Sequence, residues 1–166
     1  QAGLRVSAPV NLPDVLPTLF GLMGLDVPDG VEGTDLSGVL CGDAAEPEQS
    51  GFLLWPCSAT TWGKQWTETS VAARGMPAGF MRAYRGIRTR THTYVRDRRG
   101  PWFLYDNETD PLQQRNLAAD RDAAAIPPEL DRALDAWLER TRDRFEDTRY
   151  YMDLIDLETG ACTAPE

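Results

Sequence analysis

The stretch 82–106 constrains this chain most. It holds three runs rich in apolar, β-branched or aromatic residues, 82–89, 93–97 and 102–106. The joints between them are too short for a crossover, and the second, Arg98-Arg99-Gly100-Pro101, is a strong turn sequence. Strands joined this tightly run antiparallel, so the span predicts a meander. Alternation along the first strand puts Arg85, Ile87 and Thr89 on one face and Tyr84, Gly86 and Arg88 on the other. Arg85 and Arg88 therefore look opposite ways, and one of them at most can face a given cleft.

A small sheet needs cover. The run 51–56, GFLLWP, reads as a further strand bounded by breakers. After Pro127-Pro128, Leu130, Leu134, Trp137, Leu138, Thr141 and Phe145 recur at helical spacing and form one stripe to lay on the sheet. Near the start, Val15, Leu16, Leu19, Phe20, Leu22 and Met23 mark a second helix at 14–24 with an apolar face. Asn11 or Asp14 suits its start, and Gly24 with Pro28 suits its stop. The predicted class is α+β: a small antiparallel sheet of about four strands, with its meander at 82–106, packed against a long C-terminal helix, plus the N-terminal helix at 14–24. Residues 57–81 show no period and are rich in Thr, Ser, Gly and Trp, with Trp62 and Trp66 four apart.

At 166 residues the chain is long enough for one compact core. Its formal net charge of −9 argues against nucleic acid or an anionic membrane as a partner. No apolar run approaches the ~20 residues of a membrane span. The opening QAGLRVSAPVNLP has neither an initiator methionine nor the pattern of a signal peptide, so it reads as mid-chain. The three cysteines, Cys41, Cys57 and Cys162, form no CxxC pair and there is a single histidine, which disfavours a zinc site or a disulfide framework. Asn107-Glu108-Thr109 has the form of a glycosylation sequon.

Asp106, Glu108 and Asp110 alternate in PWFLYDNETDPLQQRNL, which raises the question of a metal loop. A calcium loop of the EF-hand type starting at Asp106 needs Gly at its sixth place and Glu at its twelfth. Those places hold Pro111 and Leu117, so the reading fails. Asp110-Pro111-Leu112-Gln113 instead has the residues of a capped helix start, with proline at the first helical position and Asn116 suited to its end. The expectation is a strand, a tight turn and a one-turn helix.

With these elements in order, the chain resembles the C-terminal part of the sulfatase family, in the alkaline phosphatase superfamily. The stretch DVLPTLFGLMGL at 14–25, with the Val27-Pro28 and VEGTDL that follow, is similar to the family's "vDllPTLl-laGi" helix and "vP-gveG-sL". The stretch YRGIRTRTHTYV at 84–95 resembles "wRgvRT-ryKYv", with Thr93 where the family has a basic residue. Leu104-Tyr105-Asp106, Asp110-Pro111 and Asn116-Leu117-Ala118 resemble "LYDle-DP-e--NLa". The resemblance covers roughly 6–146.

It implies an organisation and a role. Residues 1–50 would be the end of the catalytic-domain region, 51–146 the C-terminal subdomain and 147–166 a tail. The family's nucleophile lies in C/S-x-P-x-R, which none of Cys41, Cys57 or Cys162 fits, so no catalytic residue and no metal ligand is expected in this chain. Formylglycine and calcium would belong to the catalytic domain, and that domain is the implied partner, with a sulfate ester as its substrate. Alone, the chain would hydrolyse nothing. Residues that might still touch substrate lie in the Trp-rich loop and the hairpin: Trp62 and Trp66 by stacking, Arg85 or Arg88 by pairing an anion, and His92 at the hairpin turn. Two other readings stay open. One is the tail of a phosphoesterase or phosphonate monoester hydrolase of the same superfamily. The other is a free-standing module that binds a partner through an exposed apolar patch.

Overall fold

A computed structural model of the protein describes residues 3–55, 82–119, 126–146 and 150. A 3-10 turn at Leu12–Asp14 leads into α1 (Val15–Leu22), and α2 (Ser37–Cys41) follows. Strands β1 (Gly51–Trp55), β2 (Tyr84–Arg88), β3 (His92–Asp97) and β4 (Gly100–Asp106) form one antiparallel sheet in that order. A second 3-10 turn, Leu117–Ala119, and helix α3 (Pro128–Arg140) complete the described elements. The α+β class and the meander are as the sequence predicts.

The core follows from strand alternation. Register sets Phe52 beside Ile87, Ile87 beside Tyr94 and Tyr94 beside Leu104, so one row of side chains crosses all four strands. Helix α3 lays Leu130 and Leu134 onto that row, and these two with Ile87, Tyr94 and Leu104 are the buried cluster. Each large apolar side chain so buried contributes about 2 kcal/mol. The Trp137 ring stacks on Phe52 with centroids 5.3 Å apart, and its indole N–H donates to Ser50 at 2.8 Å. The Tyr94 hydroxyl donates to Asp131 on the helix at 2.8 Å, and Arg96 reaches both Asp131 and Asp135. Burial, reinforced by that carboxylate, holds the Tyr94 phenol well above its ordinary pKa. On β2, a Cβ at position 86 would stand 2.5 Å from the Tyr94 carbonyl oxygen, so the central strands can approach only because the residue is Gly86.

The structure departs from the sequence expectation in three places. The α3 stripe ends at Leu138: Thr141 is an exposed C-cap, and Phe145 lies beyond the helix with a left-handed backbone (φ 49°). No helix starts at Asp110, because Gln113 adopts φ 54°, which breaks a helical run at its third position. Helix α1, finally, is inside out. Its polar Thr18 is buried, while Val15, Leu16, Leu19 and Leu22 are each nearly half exposed and Met23 is 60% exposed.

Thr18 is buried because it ties α1 to the loop that follows. Its hydroxyl donates to the Asp14 carbonyl at 2.6 Å and accepts from the Leu36 amide at 3.0 Å. The buried Asp14 carboxylate accepts from the amides of Asn11 and Thr34, each at 2.8 Å. Gly33, at φ 104°, lies against the Pro13 carbonyl, where a Cβ would collide. Polar bonding therefore holds this face inward, and the apolar face is left outward.

Candidate functional site

The hairpin and the segment after β4 are joined by one polar knot. Thr93, almost fully buried, donates through Oγ1 to Asn107 Oδ1 at 2.9 Å. The same oxygen accepts from Arg88 and from Gln113, both at 2.9 Å. Asn107 also donates to the Thr89 carbonyl at 3.2 Å. Thr93 stands where the family pattern has a basic residue, and Gln113 stands at the pattern's glutamate. At these two positions a directly bonded neutral pair stands in place of a basic and an acidic residue.

The alternating carboxylates are local structure. Asp106 accepts from the Glu108 and Thr109 amides, and those bonds hold its carboxyl below the usual range. Asp110 is held low by the amides of Gln114 and Arg115, the latter at 2.8 Å. Asn107, the acceptor half of the sequon, is engaged in the knot. Among the described residues no three His, Cys, Asp or Glu side chains are grouped to hold an ion. Asn116 completes the segment: it donates to the Trp102 carbonyl at 2.9 Å and accepts from the Leu104 amide at 3.0 Å, closing the outer side of β4.

The sequence-predicted contact residues part company here. Arg85 is 2% exposed and forms a two-pronged ion pair with Asp143, with its guanidinium 4.8 Å from the centre of the Phe145 ring. Arg88, on the opposite face of β2, is exposed on the wall of a cleft of about 790 Å³. His92, whose Nδ1 lies 2.9 Å from Thr91 Oγ1, lines an adjoining cleft of about 600 Å³ with Glu46, Glu48 and Glu129. The structure thus brings Arg88 and His92 to neighbouring clefts and withdraws Arg85 from both. Trp62 and Trp66 lie outside the described residues.

The larger cleft is a seam. One wall comes from the segment 7–14 and the loop 31–34, the other from β1, the end of β2 and the end of α3. Asn11 joins the walls: its Oδ1 accepts from the Phe52 amide at 2.7 Å and its Nδ2 donates to the Ser50 carbonyl at 3.2 Å. Sequence reasoning offered Asn11 or Asp14 as a helix cap, and Asn11 does cap the 3-10 turn, but it overlooked this second role and the residues Arg90 and Arg140 on the same cleft. Spacing could not have found Arg140, because it reaches the seam only when α3 lies across the sheet.

No family model matches the chain. Over 152 residues it is 34% identical to an ulvan-active sulfatase of Formosa agariphila, an alignment that takes in 92% of this chain and 27% of that relative. A solved 2-O GAG sulfatase is similar at 25% identity and a TM-score of 0.54, over 78% of this chain and 25% of its own. A phosphonate monoester hydrolase of Silicibacter pomeroyi is similar at 25% identity and a TM-score of 0.54, over 91% of this chain and 28% of its own. The match spans about a quarter of each relative's length, and within it fall the hairpin, the knot and the carboxylate turn. The chain is therefore a homologue of the sulfatases of the alkaline phosphatase superfamily, and it corresponds to their C-terminal region.

Proposed function

We propose that the chain is the C-terminal subdomain of a sulfuric ester hydrolase, which packs on the catalytic domain, shapes its substrate cleft and is inactive alone. The observation that carries this is the inside-out helix α1. Val15, Leu16, Leu19, Leu22 and Met23 form one exposed apolar face, continued by Leu25 and Val27. Leaving such a face in water forgoes about 25 cal/mol for each Å² of apolar surface, and a helix held polar side inward expects a covering body. The relatives, each more than three times as long, supply a precedent for that body.

In this reading the nucleophile, formylglycine and calcium would belong to the catalytic domain, and the metal would supply charge stabilisation there. The subdomain contributes cleft wall: Arg88 as an anion partner, His92 at the adjoining hairpin turn, and Trp62 and Trp66 as stacking surfaces. Arg85 contributes indirectly, by anchoring the segment after α3. The natural substrate in this reading is a sulfate ester on a saccharide, the class named for the ulvan-active relative.

Likeness to the phosphonate monoester hydrolase over nearly the whole chain favours a second reading, a phosphoesterase with the same subdomain. The gene separates them. A C/S-x-P-x-R motif in an open frame upstream of Gln1 is expected, and a plain Ser or Thr nucleophile there would favour the phosphoesterase. Aryl sulfate with calcium should give no turnover above buffer with these 166 residues. Turnover by the chain alone would sink the assignment of the chemistry to another domain.

A further inference from the structure

One buried guanidinium joins three parts of the chain. Arg85 donates through Nη1 to the carbonyl of Trp55, the last residue of β1, at 3.3 Å and to that of Tyr84, the first residue of β2, at 2.9 Å. Its Nε and Nη2 donate to the two carboxylate oxygens of Asp143, which lies beyond α3, the second bond at 3.1 Å. A planar fork can bind a carboxylate with one edge and backbone carbonyls with the other, which a single ammonium cannot do in the same geometry.

The end of α3 is shaped to deliver Asp143. The Arg142 amide donates to the Glu139 carbonyl at 3.1 Å and the Asp143 amide to the Leu138 carbonyl at 2.9 Å, the paired bonds of a Schellman stop. Glycine usually takes the left-handed position of that motif, but here it is Arg142 at φ 52°. Phe145, at φ 49°, repeats the left-handed turn three residues on. Such backbone persists in non-glycine residues only where the surroundings hold it. Here Asp143 does so: its Oδ1 accepts from the Phe145 amide at 2.8 Å while both oxygens engage Arg85.

The two carbonyls that Arg85 holds are not equally secure without it. Strand β2 is paired on both sides, and Arg82, just before it, is fixed by Asp97 at 3.2 Å and by the Trp102 ring at 4.9 Å. Strand β1 is an outer strand of the described sheet, paired with β2 alone, and Trp55 at its end is 37% exposed. The end of β1 is therefore the part whose place depends most on Arg85.

We infer that Arg85 is a positioning residue through which the segment after α3 sets where β1 ends, and so where residues 56–81 leave the sheet. The consequence for substrate rests on the sulfatase reading, in which Trp62 and Trp66 of that stretch are contact residues. The first test needs no turnover: NMR of the full chain, following the Trp55 carbonyl resonance with Gly51, at the other end of β1, as reference. Asp143→Asn should shift Trp55 and leave Gly51 in place. Arg85→Lys, which keeps a charge for Asp143 but replaces the fork with one point donor, should melt closer to the native chain than Arg85→Met does. It should nevertheless shift Trp55 as far as Arg85→Met. Asp135→Asn breaks the Arg96 pair, another link between α3 and the sheet, and should leave Trp55 unmoved. An unmoved Trp55 in folded Asp143→Asn and Arg85→Lys would overturn the inference. So would a Trp55 shift that only follows stability, with Arg85→Lys restoring both together. The second test uses the longer enzyme to which the chain is proposed to belong. There Asp143→Asn should raise KM for the sulfate ester about tenfold and hold kcat within about twofold, because Arg85 touches no reacting group. A fall in kcat at unchanged KM would overturn the positioning role. Failure of the sulfatase reading would show instead in the upstream nucleophile motif, and the Trp55 measurement would still decide the clamp.

Discussion

The two outer strands of the described sheet are closed by the same device. On β4, Asn116 accepts from the Leu104 amide and donates to the Trp102 carbonyl; on β1, Asn11 accepts from the Phe52 amide and donates to the Ser50 carbonyl. In both, one side-chain amide mimics a neighbouring strand and blunts an edge that would otherwise recruit another chain. What differs is where the asparagine comes from. Asn116 lies 12 and 14 residues from its partners, inside the compact turn after β4. Asn11 lies 39 and 41 residues away, on a segment that carries α1 and its outward apolar face. One edge is closed by the sheet's own tail, and the other by the part of the chain that is proposed to meet a second domain.

That contrast should show first in Asn116→Ala. The change leaves two ladder groups of β4 and the Ala118 amide without their partner, and should cost about 2–3 kcal/mol of global stability, read by denaturant unfolding. Asn11→Ala should cost less, about 1–2 kcal/mol, and the loss should be local. Exchange of the Phe52 amide should quicken while that of Leu104 does not. Global destabilisation by Asn11→Ala as large as that by Asn116→Ala would break the distinction between the edges.

Smaller again is the coupling inside the knot that backs β4. Thr93→Lys places an ammonium in a buried site, and Gln113→Glu alone places a carboxylate beside Asn107. Together they restore the charges of the family pattern, so a double-mutant cycle should give a favourable coupling of about 1 kcal/mol or more. A coupling of zero would mean that the two positions change independently.

The smallest effect is acidic. Asp106 and Asp110 have carboxyls held below the ordinary range by backbone amides. Their contribution is full above the unfolded value of about 3.9 and is lost as pH falls through the lowered folded values. The turn 106–115 should therefore loosen below about pH 3.9. An Arg115 amide whose exchange and resonance stay unchanged through that range, followed by NMR, would contradict this.

The two edges also differ in how far they could be read from sequence. The turn after β4 is local, so its carboxylates, proline and Asn116 stood out as one motif, and counting ligand places was enough to reject a calcium loop. Its one misreading, a helix at Asp110, came from Gln113, whose residue type gives no warning of a left-handed backbone. The apolar stripe of α3 was legible because its spacing is set by the helix. Its end was not, because Phe145 leaves the stripe to lie beside Arg85, and that contact depends on the sheet. On the Asn11 side the helix and the strand were legible, but not how they meet. Periodicity shows that α1 has an apolar face but not which side its neighbours take. The bonds of Thr18 and Asp14 to the 34–36 loop decide that, and they depend on how the chain folds back. Of the cleft residues, Arg88 could be placed opposite Arg85 by alternation, whereas Arg140 and Asn11 reach the seam through long-range packing.

Hydrogen exchange tests the central claim most directly, comparing the 166-residue chain alone with the same chain joined to a sulfatase catalytic domain. Added protection should appear in α1 and at the Gly24 and Leu25 amides that follow it, while Leu104 and Arg115 exchange as before. No added protection in α1, or protection gained instead on the Asn116 side, would contradict the account.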